Sequence, residues 1–278
     1  MNCRITILCE NSVGGPLPVL GEHGFSCFVE TPHGNLLFDA GQGYTVLHNA
    51  LQLGIDLRTT QRIVLSHGHY DHGGGLAEVL KLRGSVPVTA HPEVFRERYW
   101  IGDKKSRYIG LPHTRPYLET LGACFEWQTE FGEVMPGIRV TGTVPRNTPF
   151  ETGDSHLCIR SQNSDEFPPD PFVDDFSLLI DSTSGPILLL GCAHAGLINI
   201  LEHIRRETGI TNYHAIIGGT HLGPASPEQF QATMAALDAY QIETLAAAHC
   251  TGLPKAGQLQ IAFKGQFRFA HVGAVFEG

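Results

Sequence analysis

Three histidines and one aspartate stand within six residues of one another, and their side chains are donors that bind transition metals. They are His67, His69, Asp71 and His72, and three glycines follow at 73–75. Imidazole and carboxylate are the ligand set of zinc and its first-row neighbours. Residues two apart in an extended segment point to the same side, so the first three donors can face one cation. The spacing predicts a metal site rather than a solvated, histidine-rich loop.

The residues on either side of this cluster predict how it is positioned. The apolar run 62–65 is short, β-branched and bounded by turn residues, which is typical of a buried strand. Glycines 73–75 allow a tight turn, and this turn lets His72 come round to join the other donors. A helical pattern begins at Leu76, and the N-terminus of a helix favours anionic groups nearby.

More histidines follow predicted strands in the second half of the chain. His194 follows the apolar run 186–190, His221 follows two glycines, and His249 follows the run 243–247. Strand patterns alternate with helical patterns throughout, which suits sheets packed face to face with helices outside. A last strand is predicted at 267–270. Donors that recur at strand ends can converge at one edge of such an arrangement.

The H-x-H-x-D-H stretch resembles the signature of the metallo-β-lactamase superfamily. Shorter phrases resemble one branch, whose archaeal members are labelled 7,8-dihydropterin-6-methyl-4-(β-D-ribofuranosyl)-aminobenzene-5'-phosphate synthase and whose bacterial members are mostly labelled metal-dependent hydrolases. These phrases are at 37–41, 191–196, 218–222 and 249–252, so the resemblance covers nearly the whole chain.

The resemblance implies an α/β (α+β) fold, the four-layer αβ/βα metallo-β-lactamase sandwich, with its site along one edge between the sheets. No linker divides the chain, and we predict a single domain over residues 1–278. Residues 96–115 concentrate cationic and aromatic side chains and are predicted to form a flap that recognises substrate; a solvated loop or an oligomer contact are the alternatives. Residues 143–175 are long, weakly periodic and proline-rich, which predicts a lid, a dimer arm or a mobile segment.

Matched residue by residue, the resemblance implies a set of metal ligands. His67, His69, Asp71 and His72 match the superfamily's second motif, and His249 matches its fifth. Asp39 matches an aspartate that orients the metal-binding region, so we predict a supporting role for it.

The chain departs from the superfamily pattern between these motifs. The run 138–143 lacks the histidine of the third motif, and no bridging aspartate follows 188–190. We predict that His194 supplies a ligand in their place, with Cys192 as the alternative because thiolate also suits zinc. The first cation would then be held by His67, His69 and His194, and the second by Asp71, His72 and His249.

The predicted cofactors are two divalent metal ions, zinc before manganese or iron. A bound cation lowers the pKa of its water to about 7 and so supplies a nucleophile at neutral pH. Asp71 is predicted to be catalytic because it could orient that nucleophile as well as bind metal. His221 is the second predicted catalytic residue, as general acid to the leaving group, with a metal ligand or substrate contact as alternatives.

Composition limits the partners. The net charge of -9 argues against a general nucleic-acid surface. No run approaches 18 apolar residues and no signal-peptide region is visible at the start, so neither a membrane span nor export is expected. Seven cysteines in no paired framework indicate a reduced, cytoplasmic, soluble protein. The expected partner is a small-molecule substrate, and a homo-oligomer is left open.

These observations favour a metal-dependent hydrolase that acts with activated water on a small anionic substrate, such as a phosphoester, lactone or ester. One alternative, implied by the branch, is a transferase that joins a dihydropterin-methyl diphosphate to a ribosyl-aminobenzene phosphate and releases pyrophosphate. Another is a metal-binding sensor without turnover. Redox chemistry at a di-iron centre ranks last, because the chain has no room for a flavin-binding partner domain.

Overall fold

Two seven-stranded sheets lie face to face in the computed structural model, which describes residues 1–161 and 165–278. The strands are β1 Arg4–Cys9, β2 Ser26–Thr31, β3 Gly34–Phe38, β4 Thr60–Val64, β5 Val86–Ala90, β6 Arg98–Ile101, β7 Ser106–Tyr108, β8 Ala123–Trp127, β9 Gly132–Met135, β10 Ile138–Val140, β11 Leu157–Ile159, β12 Ser177–Ser182, β13 Gly185–Leu190, β14 Asn212–Gly219, β15 Gln241–Ala248, β16 Phe267–Phe269 and β17 Val275–Glu277. The helices are α1 Val46–Gln52, α2 Tyr70–Gly73, α3 Leu76–Arg83, α4 Arg115–Thr120, α5 Leu197–Thr208, α6 Pro227–Leu237 and α7 Leu253–Phe263. Single 3₁₀ turns lie at Leu57–Thr59, Pro92–Phe95, His249–Thr251 and Lys264–Gln266.

The first sheet has the strand order β17-β1-β2-β3-β4-β5-β8, and the second has the order β16-β15-β14-β13-β12-β10-β9. In each sheet one half is antiparallel and the other half is parallel. The parallel half is the one that can place several strand ends at a single edge, and the predicted donors follow its strands.

The core lies in three layers of buried apolar side chains. Between the sheets, Ile187 and Leu189 of β13 pack against residues of the first sheet such as Phe38. Leu188 and Leu190 alternate with them and face outward, where helices α5, α6 and α7 cover the second sheet. Helices α1, α3 and α4 cover the first sheet in the same way. Because β13 is buried on both faces, it reads as an uninterrupted apolar run. The predicted four-layer sandwich is confirmed.

A third, three-stranded sheet of order β11-β6-β7 was not predicted. It joins the two accessory segments, because β6 and β7 lie in the predicted flap at 96–115 and β11 lies in the predicted lid at 143–175. Residues 162–164 of that lid lie outside the described residues. Whether either segment moves or recognises substrate stays a prediction.

The prediction of a last strand at 267–270 was incomplete. Strand β16 lies there, but β17 follows it and pairs antiparallel with β1, with Ile5 opposite Phe276. Helix α7 was also missed, although Pro254 stands in its first turn, where proline is common. No helix in the described ranges has both the length and the apolar content needed to cross a bilayer.

Candidate metal centre

The register of the parallel strands brings the predicted donors to one edge of the molecule. In the first sheet Phe38 pairs with Val64, so the loops that begin at Asp39 and Leu65 leave side by side. In the second sheet Leu190 pairs with Gly218, and Gly218 pairs with Ala247. The donors that follow these strands are His67, His69, Asp71 and His72 after β4, Cys192 and His194 after β13, His221 after β14, and His249 after β15.

The first group of donors surrounds His67. Its Nε2 lies 2.9 Å from His69 Nδ1 and 3.2 Å from His194 Nε2. Cys192 completes the group, since its Sγ and one ring nitrogen of each of His67 and His194 all lie within 4.8 Å of one another. The structure thus brings together the three residues predicted for the first cation and adds a thiol to them.

The second group surrounds His72 and His249. Cys192 Sγ lies 3.1 Å from His72 Nε2, and these two atoms form a compact set with a ring nitrogen of His249. Asp71 Oδ2 lies 3.3 Å from His249 Nε2 and 3.1 Å from His23 Nε2. The three residues predicted for the second cation are therefore adjacent to one another, with Cys192 and His23 as additional neighbours.

Three of the histidines have their outer nitrogen fixed by a neighbouring oxygen. His72 Nδ1 lies 2.6 Å from Asp39 Oδ2, and His249 Nδ1 lies 2.9 Å from Asn11 Oδ1. His67 Nδ1 lies 2.8 Å from Ser66 Oγ, and that hydroxyl donates to Asp39 Oδ2 at 2.6 Å.

In each case Nε2 is left facing the other donors, which is the arrangement typical of metal-binding histidines. Asp39 also accepts the backbone N–H of Ser66 at 2.7 Å through its other oxygen. Its geometry agrees with the supporting role predicted from sequence.

The protonation states favour free lone pairs in the first group. Burial lowers the pKa of His67, His69 and His194, and the neighbouring imidazoles lower the pKa of His67 and His194 further, so these rings are neutral at physiological pH. His69 Nε2 and His194 Nδ1 are buried without a hydrogen-bond partner. Neutral imidazoles with converging nitrogens and orphaned polar atoms are what a bound cation would satisfy, so the residues present fit a metal site.

The second group carries charge. Burial raises the pKa of Asp71, but hydrogen bonds from His23 and His249 outweigh burial and hold the pKa well below its usual range. Burial lowers the pKa of His72, but the Asp39 carboxylate outweighs burial and the net pKa is raised. A cation at Nε2 of His72 would take the place of the proton that this pairing favours. The second group therefore offers one carboxylate and two imidazoles.

Strained backbone is concentrated at this edge. Asp39, Ala193, His221 and His249 have φ angles of 58°, 55°, 50° and 47°, in the left-handed region that non-glycine residues seldom adopt. Phe172 has a φ of 49°, and its ring stacks on that of His194 with centroids 4.0 Å apart. Conformations of this kind persist where the surrounding structure over-determines them, and they cluster at functional sites.

An acidic pair from the predicted lid supports the two loops that carry the histidines of the first group. Asp174 accepts the backbone N–H of Gly68 at 2.9 Å, between His67 and His69, and Asp175 accepts the N–H of Ala195 at 2.8 Å, next to His194. The sequence analysis assigned no role to this pair. The only signal was two adjacent carboxylates in a segment without periodicity, and that signal does not reveal which backbone groups they reach.

Among the described residues, two cavities are each lined by at least two of the donors. The larger, of about 290 Å³, lies under the predicted flap and is lined by Tyr70, Trp100 and Arg107 as well as by metal-site residues. The other, of about 270 Å³, is lined by Glu151, Asp154 and His156. Both cavities include Asp154, Pro224, His194 and His221 in their linings, so they meet beside the centre.

The remaining predictions can be located but are not tested. His221 lies next to His194, with ring centroids 4.2 Å apart, and both of its ring nitrogens are buried without partners. Its role as general acid and that of Asp71 in orienting the nucleophile stay predictions, as do metal binding and the number of cations. His23, an exposed side chain outside the predicted ligand set, contacts Asp71.

Comparison with known proteins agrees with this arrangement. The family model described as the metallo-beta-lactamase superfamily matches residues 20–194. A protein of Methanocaldococcus jannaschii named 7,8-dihydropterin-6-methyl-4-(beta-D-ribofuranosyl)-aminobenzene-5'-phosphate synthase is 28% identical over 99% of this chain and 97% of its own length. An uncharacterized protein of the same organism is 30% identical, with 98% of each chain covered. A crystal structure of a metal-dependent hydrolase of the beta-lactamase superfamily superposes with a TM-score of 0.84 at 27% identity, covering 99% of both chains.

Proposed function

The chain belongs to the metallo-β-lactamase superfamily, and we propose that it is a metal-dependent hydrolase that cleaves a phosphoester or related bond in a small anionic substrate. The observation that carries the proposal is a 290 Å³ cavity whose lining contains residues of both donor groups together with the guanidinium of Arg107. His67, His69 and His194 would hold one divalent ion, and Asp71, His72 and His249 the other. When bound, such ions lower the pKa of water and stabilise the negative charge that develops on a phosphoryl or carbonyl oxygen.

The protein's own residues supply the proton transfers. Asp71 lies against His23 and His249 with a depressed pKa, so it is ionised and can accept a hydrogen bond from the attacking water. His221 stands at the junction of the two cavities with both ring nitrogens unpartnered, so it can donate a proton to the leaving group on either side.

The larger cavity favours a substrate with an anionic group and a flat ring. Arg107 lies over the face of Tyr70, 5.5 Å from the ring centroid, and among the described residues it has no carboxylate partner. A guanidinium without a protein counter-ion at the mouth of a site is suited to a phosphate or carboxylate. Trp100 in the same lining offers an aromatic face.

A second candidate function is group transfer between two substrates. The second cavity, of about 270 Å³, favours it because it provides separate space for an acceptor on the far side of His194 and His221. The relative named as a synthase supports the same alternative at 28% identity. In this version a dihydropterin-methyl diphosphate would transfer its dihydropterin-methyl group to a ribosyl-aminobenzene phosphate and release pyrophosphate, instead of reacting with water.

The two functions can be separated in one experiment on protein reconstituted with zinc or manganese. Hydrolysis predicts that p-nitrophenolate is released from p-nitrophenyl phosphate or bis(p-nitrophenyl) phosphate without any acceptor, and that Asp71→Asn abolishes this release. Transfer predicts pyrophosphate release from the pterin diphosphate only when the arylamine acceptor is present. A protein that binds metal but catalyses neither reaction, nor the opening of simple lactones, would contradict both and leave the sensor alternative.

A further inference from the structure

We propose that the thiolate of Cys192 is shared by the two cations and takes the position between them, where the described residues place no carboxylate. This inference rests on the proposed metal site, but not on the reaction catalysed there. It goes beyond a choice between Cys192 and His194 as ligands, because it assigns a role to both and makes the sulfur common to the two sites.

The position of the sulfur is the first argument. Cys192 Sγ belongs to the group with His67 and His194 and also to the group with His72 and His249. Within the part of the chain that the structure describes, no other donor belongs to both of these groups. A ligand atom that lies within bonding range of two sets of imidazoles is placed to contact two cations at once.

Charge is the second argument. The other donors of the first group are imidazoles, which carry no negative charge, so the thiolate is the one anionic donor that a cation there would meet. Asp71 cannot serve both sites, because its carboxylate is grouped with His23 and His249 and with no histidine of the first group. Two divalent cations at short range repel each other strongly, and a shared anion reduces that repulsion.

The loop that carries Cys192 is fixed closely enough to hold the sulfur in place. A Cβ on Gly191 would lie 2.4 Å from the Ser66 side chain, so only glycine lets this loop approach the β4 loop so closely. On the other side, Ala193 is held at a φ of 55° and the N–H of Ala195 is bonded to Asp175. Cys192 itself is 3% exposed.

A shared thiolate also narrows the choice of metal. Sulfur is a soft ligand that suits zinc, and it is a poor ligand for magnesium or manganese, which favour oxygen donors. The proposal therefore favours zinc, or another thiophilic ion, at both positions.

Cys250 provides the matched control because it is a second thiol of the same edge. Its Sγ accepts the backbone N–H of His221 at 3.3 Å and donates to the carbonyl of Cys192 at 3.4 Å. It shares a donor group with Cys192 and His221 but belongs to neither of the two histidine groups described above. If the metal-binding sulfur were that of Cys250, substitution of Cys250, and not of Cys192, would remove the thiolate-to-metal signal.

The test is a titration of metal-free protein with Co²⁺, followed through the thiolate-to-cobalt charge-transfer band in the near ultraviolet. A shared sulfur predicts that this band appears with the first equivalent and changes again in intensity or position with the second. The wild-type titration needs no variant, so the result does not depend on whether a mutant folds. A band that is complete and unchanged after the first equivalent, or no band at all, would overturn the proposal.

The variants locate the sulfur. Cys192→Ser should lose the band in both steps, whereas Cys250→Ser should keep it. Cys192→Asp should bind about two equivalents without the band, since a carboxylate can also join two cations. Retention of the band in Cys192→Ser with loss in Cys250→Ser would refute the assignment. If the spectra behave as expected but no substrate turns over, the proposed function fails while this inference stands.

Discussion

The guanidinium of Arg98 donates a hydrogen bond of 2.6 Å from Nη2 to Oδ1 of Asp174, in a place where both side chains are at most 1% exposed. Arg98 also donates through Nε to Asp170 at 2.6 Å. The other oxygen of Asp174 accepts the N–H of Gly68. One cation from the predicted flap is thus linked, through a carboxylate from the predicted lid, to the backbone of the H-x-H-x-D-H loop.

Replacing Arg98 with an uncharged residue should destabilise the protein strongly. Arg98→Met leaves Asp170 and Asp174 buried without their partner, and the expected loss is about 3–5 kcal/mol of unfolding free energy, measured by denaturant titration. The control is Arg115→Met, which removes an exposed pair with Glu119 and a contact with the Trp127 ring and should cost no more than about 1 kcal/mol. Equal and small effects of the two changes would show that the buried pair is not needed.

Asp39→Asn should weaken metal binding without preventing folding. The carboxylate holds Nδ1 of His72 and the Ser66 hydroxyl, and removing such an outer partner typically costs about 10–100-fold in metal affinity. The measurement is a competition titration against a coloured chelator. Asp56→Asn, which changes an exposed turn carboxylate paired with Arg58, should leave the affinity unchanged. An unaltered affinity in Asp39→Asn would remove the supporting role.

His194→Ala should lower the metal content of the protein from about two equivalents toward one, because it removes an imidazole of the first group. Metal is measured by elemental analysis after dialysis. His91→Ala is the comparison, since His91 is a buried histidine after β5 whose Nδ1 accepts the N–H of Glu93 at 3.1 Å, outside the donor groups. Equal metal content in the two variants would contradict the assignment of His194.

Arg107→Gln should raise KM for an anionic aryl substrate about tenfold while kcat changes little, because a lost charged hydrogen bond to the substrate is worth about 1.5 kcal/mol or more. The assay uses p-nitrophenyl phosphate with metal-reconstituted protein. Lys105→Gln removes a charge from the same flap outside the cavity lining and should not change KM. An equal rise of KM in both variants would indicate a long-range effect of charge and would contradict direct contact between Arg107 and the substrate.

The metal-free protein should lose stability as pH rises from 4 to 7, because the buried carboxyl of Asp175 ionises over this range in the native state. Burial raises the pKa of Asp175 to about 7, so the native state holds a proton that the unfolded state has already released. Its contribution is present below the unfolded pKa of about 3.9 and is lost as pH rises through 7, by up to about 4 kcal/mol. Asp175→Asn should show a smaller loss over that range in denaturant titrations of chelator-treated protein. Parallel profiles of unfolding free energy against pH for the wild type and Asp175→Asn would contradict this role of Asp175.

The fold could be predicted because its signals are local. The six residues expected to bind metal lie together in the structure, and metal binding by them stays a prediction. Buried strands such as β13 appear as apolar runs, and the donors of the H-x-H-x-D-H stretch have a fixed spacing at the end of one strand. The parallel register then converts position at a strand end into position at the shared edge.

What sequence reasoning missed depends on contacts between distant parts of the chain. Arg98 was one cation among several in the segment 96–115, and only the fold shows that it is buried against Asp174. The central place of Cys192 was likewise invisible, because the distance from its sulfur to His72 joins residues 120 positions apart. The third sheet was missed for a related reason. Strands β7 and β11 have only three residues each, and both form because they pair with β6, which lies between them in the sheet.

The pairing of β1 with both β2 and β17 has a consequence for how the protein is made. During synthesis β1 leaves the ribosome before the other strands, and one of its edges stays open until β17 has followed it. His249, a donor of the second group, is likewise among the later residues to emerge. A nascent chain therefore exposes an unpaired strand edge and incomplete donor groups, which makes it prone to aggregation and to capture of the wrong ion. Completion of the first sheet and of the second donor group therefore both wait for the synthesis of residues 249–277.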